Sequence, residues 1–340
     1  MSVEPAEPPL HLAMLGCGEA ARTHADTLSG LEAVSRISYA SRSVRRAEAF
    51  RREHEGYRSY GSYGGALKDE SVDGVLVLTP PAHHLELTLE ALRAGKHVIV
   101  EKPPFLRADD VDRVERAAAE AGRRVLVAEN YYYKPVRRRV AEVIGRGDIG
   151  EVLFVYVNAI KRQETSGWRD DPELAGGGAL FEGGIHWVDF VAHLGLTLES
   201  ASGRRPGRAD GARREPERSV LVDLDYAEGA AGSLYYSWDV PSPLGGVRFS
   251  RIYGRKGSVA FESNGGFVAV HGERTRFWPV PGGLADAAGY RPMFRDFVEA
   301  LATGRPPEYD LGLARRDLEL VEQIYDSMDV SLDSTEGRDG

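Results

Sequence analysis

The stretch LHLAMLGCGEAA, residues 10–21, decides the fold. LHLAML is a short, mostly apolar run of strand length, and it stops at Gly16. GCGEAA follows, with Gly16, Gly18 and Ala21 in the order Gly-x-Gly-x-x-Ala. Helical spacing then runs over 20–29. A glycine motif alone is a weak signal; a strand before it and a helix after it give it meaning. Gly16 permits a tight turn, Gly18 lets backbone approach a pyrophosphate, and Ala21 lets the helix pack close to the strand. The helix start, with Glu19 and Ala20, presents N–H groups and the positive end of a dipole to phosphate.

Working outward, RISYAS (36–41), GVLVLTP (74–80), KHVIVEKP (96–103) and RVLVAEN (124–130) read as further buried strands. Helical patterns over 43–54, 82–94 and 109–121 separate them. This alternation predicts a parallel sheet with helices on both faces. The end of the second strand reads YASRS. A diol-binding site usually places Asp or Glu there. Ser41 and Arg42 stand in its place, with Arg45 one turn further, and a hydroxyl with guanidinium groups suits a 2′-phosphate. The expected cofactor is NADP(H), with NAD(H) as the alternative.

After residue 150 the pattern changes. GEVLFVYVNAI (150–160) is strand-like, and GGGALFEGGIHWVDF (176–190) leads into a helical pattern over 179–194. Strand-like runs then alternate with turn signals at AEGA (227–230) and GRKGS (254–258), and helical patterns over 291–302 and 311–328 close the chain. The fold class expected is α/β: residues 1–130 form a doubly wound parallel sheet, on which the C-terminal helices can pack back, and 131–330 form an α+β domain with a largely antiparallel sheet. The polar residues 331–340 are expected to fray.

The 340 residues carry 43 Lys and Arg against 52 Asp and Glu, a formal charge of −9, which argues against a nucleic-acid partner. Cys17 is the single cysteine, so no disulfide framework or multi-cysteine zinc site is expected, and no metal. MSVEPAEPPL lacks the basic and apolar regions of a secretory signal. No run reaches the ~18 apolar residues of a membrane span. A cytoplasmic location is expected.

Thr79-Pro80, His84, Glu101-Lys102-Pro103, the Asn130…Pro135 stretch ENYYYKP and the GGG…H segment together resemble the glucose–fructose oxidoreductase / inositol 2-dehydrogenase / rhizopine-catabolism family, Gfo/Idh/MocA. The resemblance spans nearly the whole chain. It implies a Rossmann domain followed by an α/β domain with a large open sheet, through which members form homodimers or homotetramers. It also implies NAD(P)-dependent oxidation or reduction of a sugar, ketosugar or cyclitol.

By that resemblance Lys102 and His186 are catalytic, and Glu182 holds a position where the family more often has aspartate. A lysine charge stabilises an alkoxide, and imidazole titrates near the working pH. Glu182 lies four residues before His186, within reach on a helix, and Asp189 lies one turn beyond as a candidate partner of the histidine. Thr79, Pro80 and Glu101 are expected along the nicotinamide ribose; His84 is placed with this cofactor group as a support for its loop. Asn130, Tyr131, Trp168 and Arg169 are expected on the substrate side, together with Lys102, Glu182 and His186. Three consecutive tyrosines cannot all face one pocket, so one or two of Tyr131–Tyr133 pack elsewhere. The first glycines of the GGG segment are expected to let the chain pass close to cofactor or substrate. Two other readings are a reductase of a non-sugar unsaturated group and a protein that senses NADP(H) without turnover.

Overall fold

The computed structural model describes residues 10–207, 216–242 and 246–333. The N-terminal segment read for a secretory signal lies outside these residues, apart from Leu10. So does the polar tail from 334 onward. The chain divides into two compact units: residues up to Ala128 together with Tyr290–Ala314, and Glu129–Gly289 together with the chain from Arg315.

The first unit holds six strands: β1 (Leu10–Leu15), β2 (Val34–Ala40), β3 (Ser59–Tyr60), β4 (Gly74–Val77), β5 (His97–Glu101) and β6 (Val125–Ala128). Their spatial order is β3-β2-β1-β4-β5-β6, and every pairing is parallel. This is the doubly wound order that binds dinucleotides at the carboxyl ends of its strands. β4 and β6 are buried at every position, as strands covered on both faces must be. The connecting helices are α1 (Glu19–Leu28), α2 (Val44–Glu53), α3 (Tyr63–Leu67), α4 (His84–Arg93) and α5 (Asp110–Ala121). Ser43 caps α2 by accepting from Arg46 N, a bond worth about 1 kcal/mol. Gly122 ends α5 in the left-handed conformation.

In the second unit α6 (Pro135–Gly145) starts on a proline, which suits a first helical position whose N–H would be unpaired. β7 (Val152–Ile160) follows, then the short α7 (Pro172–Ala175), a π-helical turn at Leu180–Gly184 and α8 (Ile185–Ala192). The remaining strands are β8 (Leu198–Arg204), β9 (Ser219–Tyr226), β10 (Ala231–Ser237), β11 (Phe249–Gly254), β12 (Gly257–Glu262), β13 (Phe267–His271) and β14 (Arg276–Pro279). The sheet order is β14-β13-β12-β11-β7-β10-β9-β8, antiparallel except for β7 with β10.

The last two helices are α9 (Tyr290–Thr303), in the first unit, and α10 (Leu311–Asp333). α10 passes from the first unit to the second after Ala314 and continues three residues into the segment expected to fray.

One face of the large sheet takes helices. Tyr226 Oη donates to Val191 O on α8, Phe190 stacks on Phe261, and Ser327 Oγ on α10 accepts from Gly203 N. The other face leaves Phe154, Tyr156, Tyr235, Phe249, Tyr253 and Phe277 exposed. Phe267 packs between Phe249 and Phe277 at centroid distances of 6.1 and 5.7 Å, so the aromatic patch is continuous across β11, β13 and β14.

Candidate active site

In the first unit the turn after β1 is built for close approach. Gly16 has φ +128°, and a Cβ there would lie 2.5 Å from Leu78 O. Only glycine fits. Gly18 precedes α1 with extended backbone, and a Cβ there would meet nothing within 4 Å. No side chain caps α1, so its first N–H groups are available to an anion. Glu19 and Ala20 open that first turn. Cys17 is buried, and burial pushes its thiol up to about 11, so it stays protonated.

Arg46 Nε donates to Cys17 O at 2.9 Å and ties α2 to the glycine turn. Ser41 Oγ accepts from Ser43 N at 3.3 Å, and Arg42 and Arg45 are exposed beside it. An open cradle over Gly18 and a hydroxyl with guanidinium groups after β2 fit a dinucleotide, including one with a 2′-phosphate.

Thr79 and Pro80 follow β4. Thr79 Oγ1 is buried without a partner among the described residues, an acceptor and donor available to a ligand. His84 is fully buried, with Nε2 at 2.7 Å from Thr79 O and Nδ1 at 2.8 Å from Pro103 O. Burial pushes its pKa down, and the ring sits between the loops that follow β4 and β5, against a carbonyl of each. Glu101 accepts from His24 at 2.6 Å and from Lys102 N at 2.9 Å. Its carboxylate is engaged in shaping the turn that carries Lys102. Lys102 itself is half-buried at the carboxyl end of β5, and the Lys102–Pro103 peptide is cis.

In the second unit Glu182 and His186 each meet a charged side chain. Glu182 lies on the π-helical turn and accepts from Arg169 Nε at 3.1 Å. His186, in the first turn of α8, donates from Nδ1 to Glu129 Oε1 at 2.6 Å. The sequence left Glu182 open as an orienter of the histidine, a ligand of a substrate hydroxyl or a partner of a cation, and the structure pairs it with the Arg169 cation; the histidine meets Glu129, a partner the sequence reading did not offer. Asp189 is fully buried and faces His193 Nδ1 at 2.9 Å. Burial first, then the charge of Glu129, hold its carboxyl well above the usual range.

The three tyrosines separate. Tyr131 stacks on His186 at 4.3 Å between centroids and 13° between planes. Tyr132 lies under Arg137, and Tyr133 is fully buried. Asn130 is buried and donates from Nδ2 to Ala288 O at 2.6 Å, which makes it a tether for the segment 286–289. Trp168 lies under the Arg169 guanidinium at 4.5 Å. A cavity of about 250 Å³ is lined by Arg169 together with Thr165, Asp170, Glu217, Arg218 and Trp238.

Glycines at 177, 178 and 183 permit close packing of this segment. A Cβ on Gly178 would strike the Glu217 carboxylate, and one on Gly183 would strike Tyr236 Oη. A Cβ on Gly177 would lie 2.6 Å from Phe181 Cβ.

Two family models match the chain from residue 10 to residue 260, apart from a short gap. The NAD-binding Rossmann-fold model of the Gfo/Idh/MocA oxidoreductases covers residues 10–129, and the Gfo/Idh/MocA C-terminal-domain model covers 137–260. The chain belongs to the Gfo/Idh/MocA family. It is an NAD(P)-dependent oxidoreductase.

Among relatives of this Gfo/Idh/MocA protein, the D-xylose 1-dehydrogenase (NADP(+)) 2 of Haloferax volcanii is 27% identical, over 86% of this chain and 89% of that one. The fold is shared with the WlbA dehydrogenase of Bordetella pertussis, solved with NADH and UDP-GlcNAcA. The TM-score is 0.81 at 22% identity, over 96% of this chain and 98% of that one. It is shared also with KijD10, a 3-ketoreductase of Actinomadura kijaniata solved with NADP and TDP-benzene. Here the TM-score is 0.80 at 22% identity, over 94% of this chain and 98% of that one.

Sequence reasoning missed Glu129 as a site residue. It ends the run RVLVAEN as the one acid after a wholly apolar strand, and a carboxylate at the carboxyl end of a buried parallel strand is a usable signal. Among the described residues no helix is long and apolar enough to cross a membrane.

Proposed function

We propose that this Gfo/Idh/MocA protein moves a hydride between NADP(H) and a sugar, ketosugar or cyclitol, with Lys102 and His186 handling the proton and the alkoxide charge. The observation that carries the catalytic part is the 2.6 Å contact from His186 Nδ1 to Glu129. With Nδ1 committed, proton exchange falls to Nε2. The nicotinamide, when bound, supplies or accepts the hydride. Lys102 stabilises the negative oxygen that accompanies its transfer. The cradle at Gly16 and Gly18, with Glu19 and Ala20 at the start of α1, holds the pyrophosphate, and Ser41, Arg42 and Arg45 hold the 2′-phosphate. Thr79, Pro80 and Glu101 line or shape the ribose side. Tyr131, Trp168, Arg169 and Glu182 serve the substrate, and Asn130 supports them through Ala288.

The relative named for D-xylose and NADP supports the substrate class and the cofactor preference. The exposed aromatic face of the large sheet supports self-association as a homodimer or homotetramer. The buried thiol of Cys17 suits a reducing compartment, and a cytoplasmic setting is part of this reading.

The test is NADPH oxidation and NADP reduction against a panel of ketosugars, aldoses and cyclitols, with the Michaelis constants of both cofactors. Turnover with at least a tenfold preference for NADP(H) supports the reading. NADPH binding without turnover across the panel sinks it in favour of a sensor, and a tenfold preference for NAD(H) overturns the cofactor assignment.

A further inference from the structure

We infer that Glu129 is a positioning residue of the acid–base step, pairing with His186 so that one ring nitrogen is fixed and the other exchanges the substrate's proton. The inference deepens the reading above and rests on His186 as the proton-transferring group.

The geometry is that of a held imidazole. Glu129 is 2% exposed, and its Oε1 accepts from His186 Nδ1 at 2.6 Å and from Tyr131 N at 2.9 Å. The distance to the ring is at the short end for a charge-assisted bond. Tyr131 then lays its ring parallel to the imidazole at 4.3 Å. Lys134, buried, places Nζ 3.5 Å from the centroid of the same tyrosine ring and so polarises it. Glu129 governs rotation within the ring plane, and Tyr131 governs its tilt.

The other charged groups near His186 in the chain have partners of their own. Glu182, on the preceding turn, pairs with Arg169. Asp189, on the following turn, groups with His193 and Asp317, their polar atoms within 4.8 Å of one another. Arg137 donates to Tyr132 O and His193 O on the far side of that group. Arg248 lies over Trp187, the neighbour of His186, at 5.1 Å, and Tyr236 donates no charge because burial keeps its phenol protonated. Glu129 is a buried carboxylate in direct hydrogen-bond contact with the imidazole.

The consequence is chemical. In the oxidising direction His186 Nε2 would take the proton of the substrate hydroxyl and Glu129 would stabilise the imidazolium that results, while the oxidised dinucleotide, when bound, would supply the hydride acceptor. In the reducing direction the imidazolium returns that proton to the carbonyl oxygen as hydride arrives. A carboxylate on Nδ1–H makes Nε2 the more basic nitrogen and keeps it in the productive tautomer.

The experiment has two arms. In the wild-type enzyme without cofactor, nitrogen-15 spectra of histidine report the tautomer of His186. The Nδ1–H form is expected, and a dominant Nε2–H form overturns the inference whether or not any variant folds. In Glu129→Gln, loss of the negative charge is expected to lower the His186 titration midpoint by about one unit or more and to shift the pH profile of kcat with it. A fall in kcat of about 10–100-fold with the KM for NADPH within about twofold completes the expectation, and Glu129→Asp is expected to recover much of the loss. An unchanged His186 titration in Glu129→Gln overturns the inference. Full activity in His186→Gln instead refutes the underlying reading of His186, whatever Glu129 does.

Discussion

Arg169 Nε donates to Glu182 Oε1 at 3.1 Å, which ties the acid one turn before His186 to a guanidinium of the preceding loop. Glu182 is buried while Arg169 reaches partly into solvent, so the acid holds the guanidinium in place beside the Trp168 ring. Glu182→Ala and Arg169→Ala should each raise the KM for the sugar substrate several-fold, with smaller changes in kcat. Because the two act as one unit, the double variant should lose little more than either single one, a coupling of about 0.5–3 kcal/mol. Independent, additive losses in steady-state kinetics would contradict the pairing.

Two glycines from the two motifs should behave oppositely. At Gly18 a methyl group meets nothing within 4 Å. Gly18→Ala should leave thermal stability within about 0.5 kcal/mol of wild type while weakening NADPH binding tenfold or more, since the methyl fills the space a pyrophosphate needs. At Gly178 the methyl strikes Glu217, which also accepts from Leu180 N and from Tyr325 Oη. Gly178→Ala should cost about 1–3 kcal/mol of stability. Denaturant unfolding and fluorescence titration with NADPH read both outcomes.

The first unit was legible because each of its elements obeys a local rule. Apolar runs of strand length marked β1, β4, β5 and β6, and helical spacing marked α1, α2, α4 and α5. The strand β3 and the helix α3 escaped because Ser59–Tyr60 is two residues long and YGGAL carries no period. α6 escaped because PVRRRVAEVIG has three arginines masking its buried Val136, Val140 and Val143. In the site, spacing put Glu182 and His186 on one helical pattern but gave no sign of the π-helical turn at Leu180–Gly184 or of Arg169 as a partner of the acid. No pattern in the sequence records that Glu129, 57 residues before His186, is the carboxylate that reaches it.

Glu217 provides a stability test with a defined sign. It is 3% exposed, and burial, the leading cause, raises its pKa above that of a free carboxyl. A group whose folded pKa is raised contributes stability that is fully present below its unfolded pKa and lost as pH rises through the folded value. Glu217→Gln keeps an oxygen for Leu180 N and Tyr325 but cannot ionise. The melting temperature of the variant relative to wild type should therefore rise between pH 5 and pH 8. A difference that is flat across this range would show that Glu217 does not titrate there.

The aromatic face of the large sheet should be covered by a second copy of the chain. Phe249 and Phe277 are 56% and 61% exposed, and Phe267 joins them into one patch. Phe249→Glu should shift the light-scattering mass of the protein towards the monomer with its melting temperature nearly unchanged at low protein concentration. A wild-type protein that is monomeric at micromolar concentration would contradict the assignment.

The central claim is that Lys102 and His186 carry the chemistry, and Lys102→Met tests it most directly. Turnover with the true sugar substrate should fall by about 10²–10⁴-fold while the dissociation constant for NADPH stays within about threefold of wild type. Undiminished turnover in this variant would contradict the account.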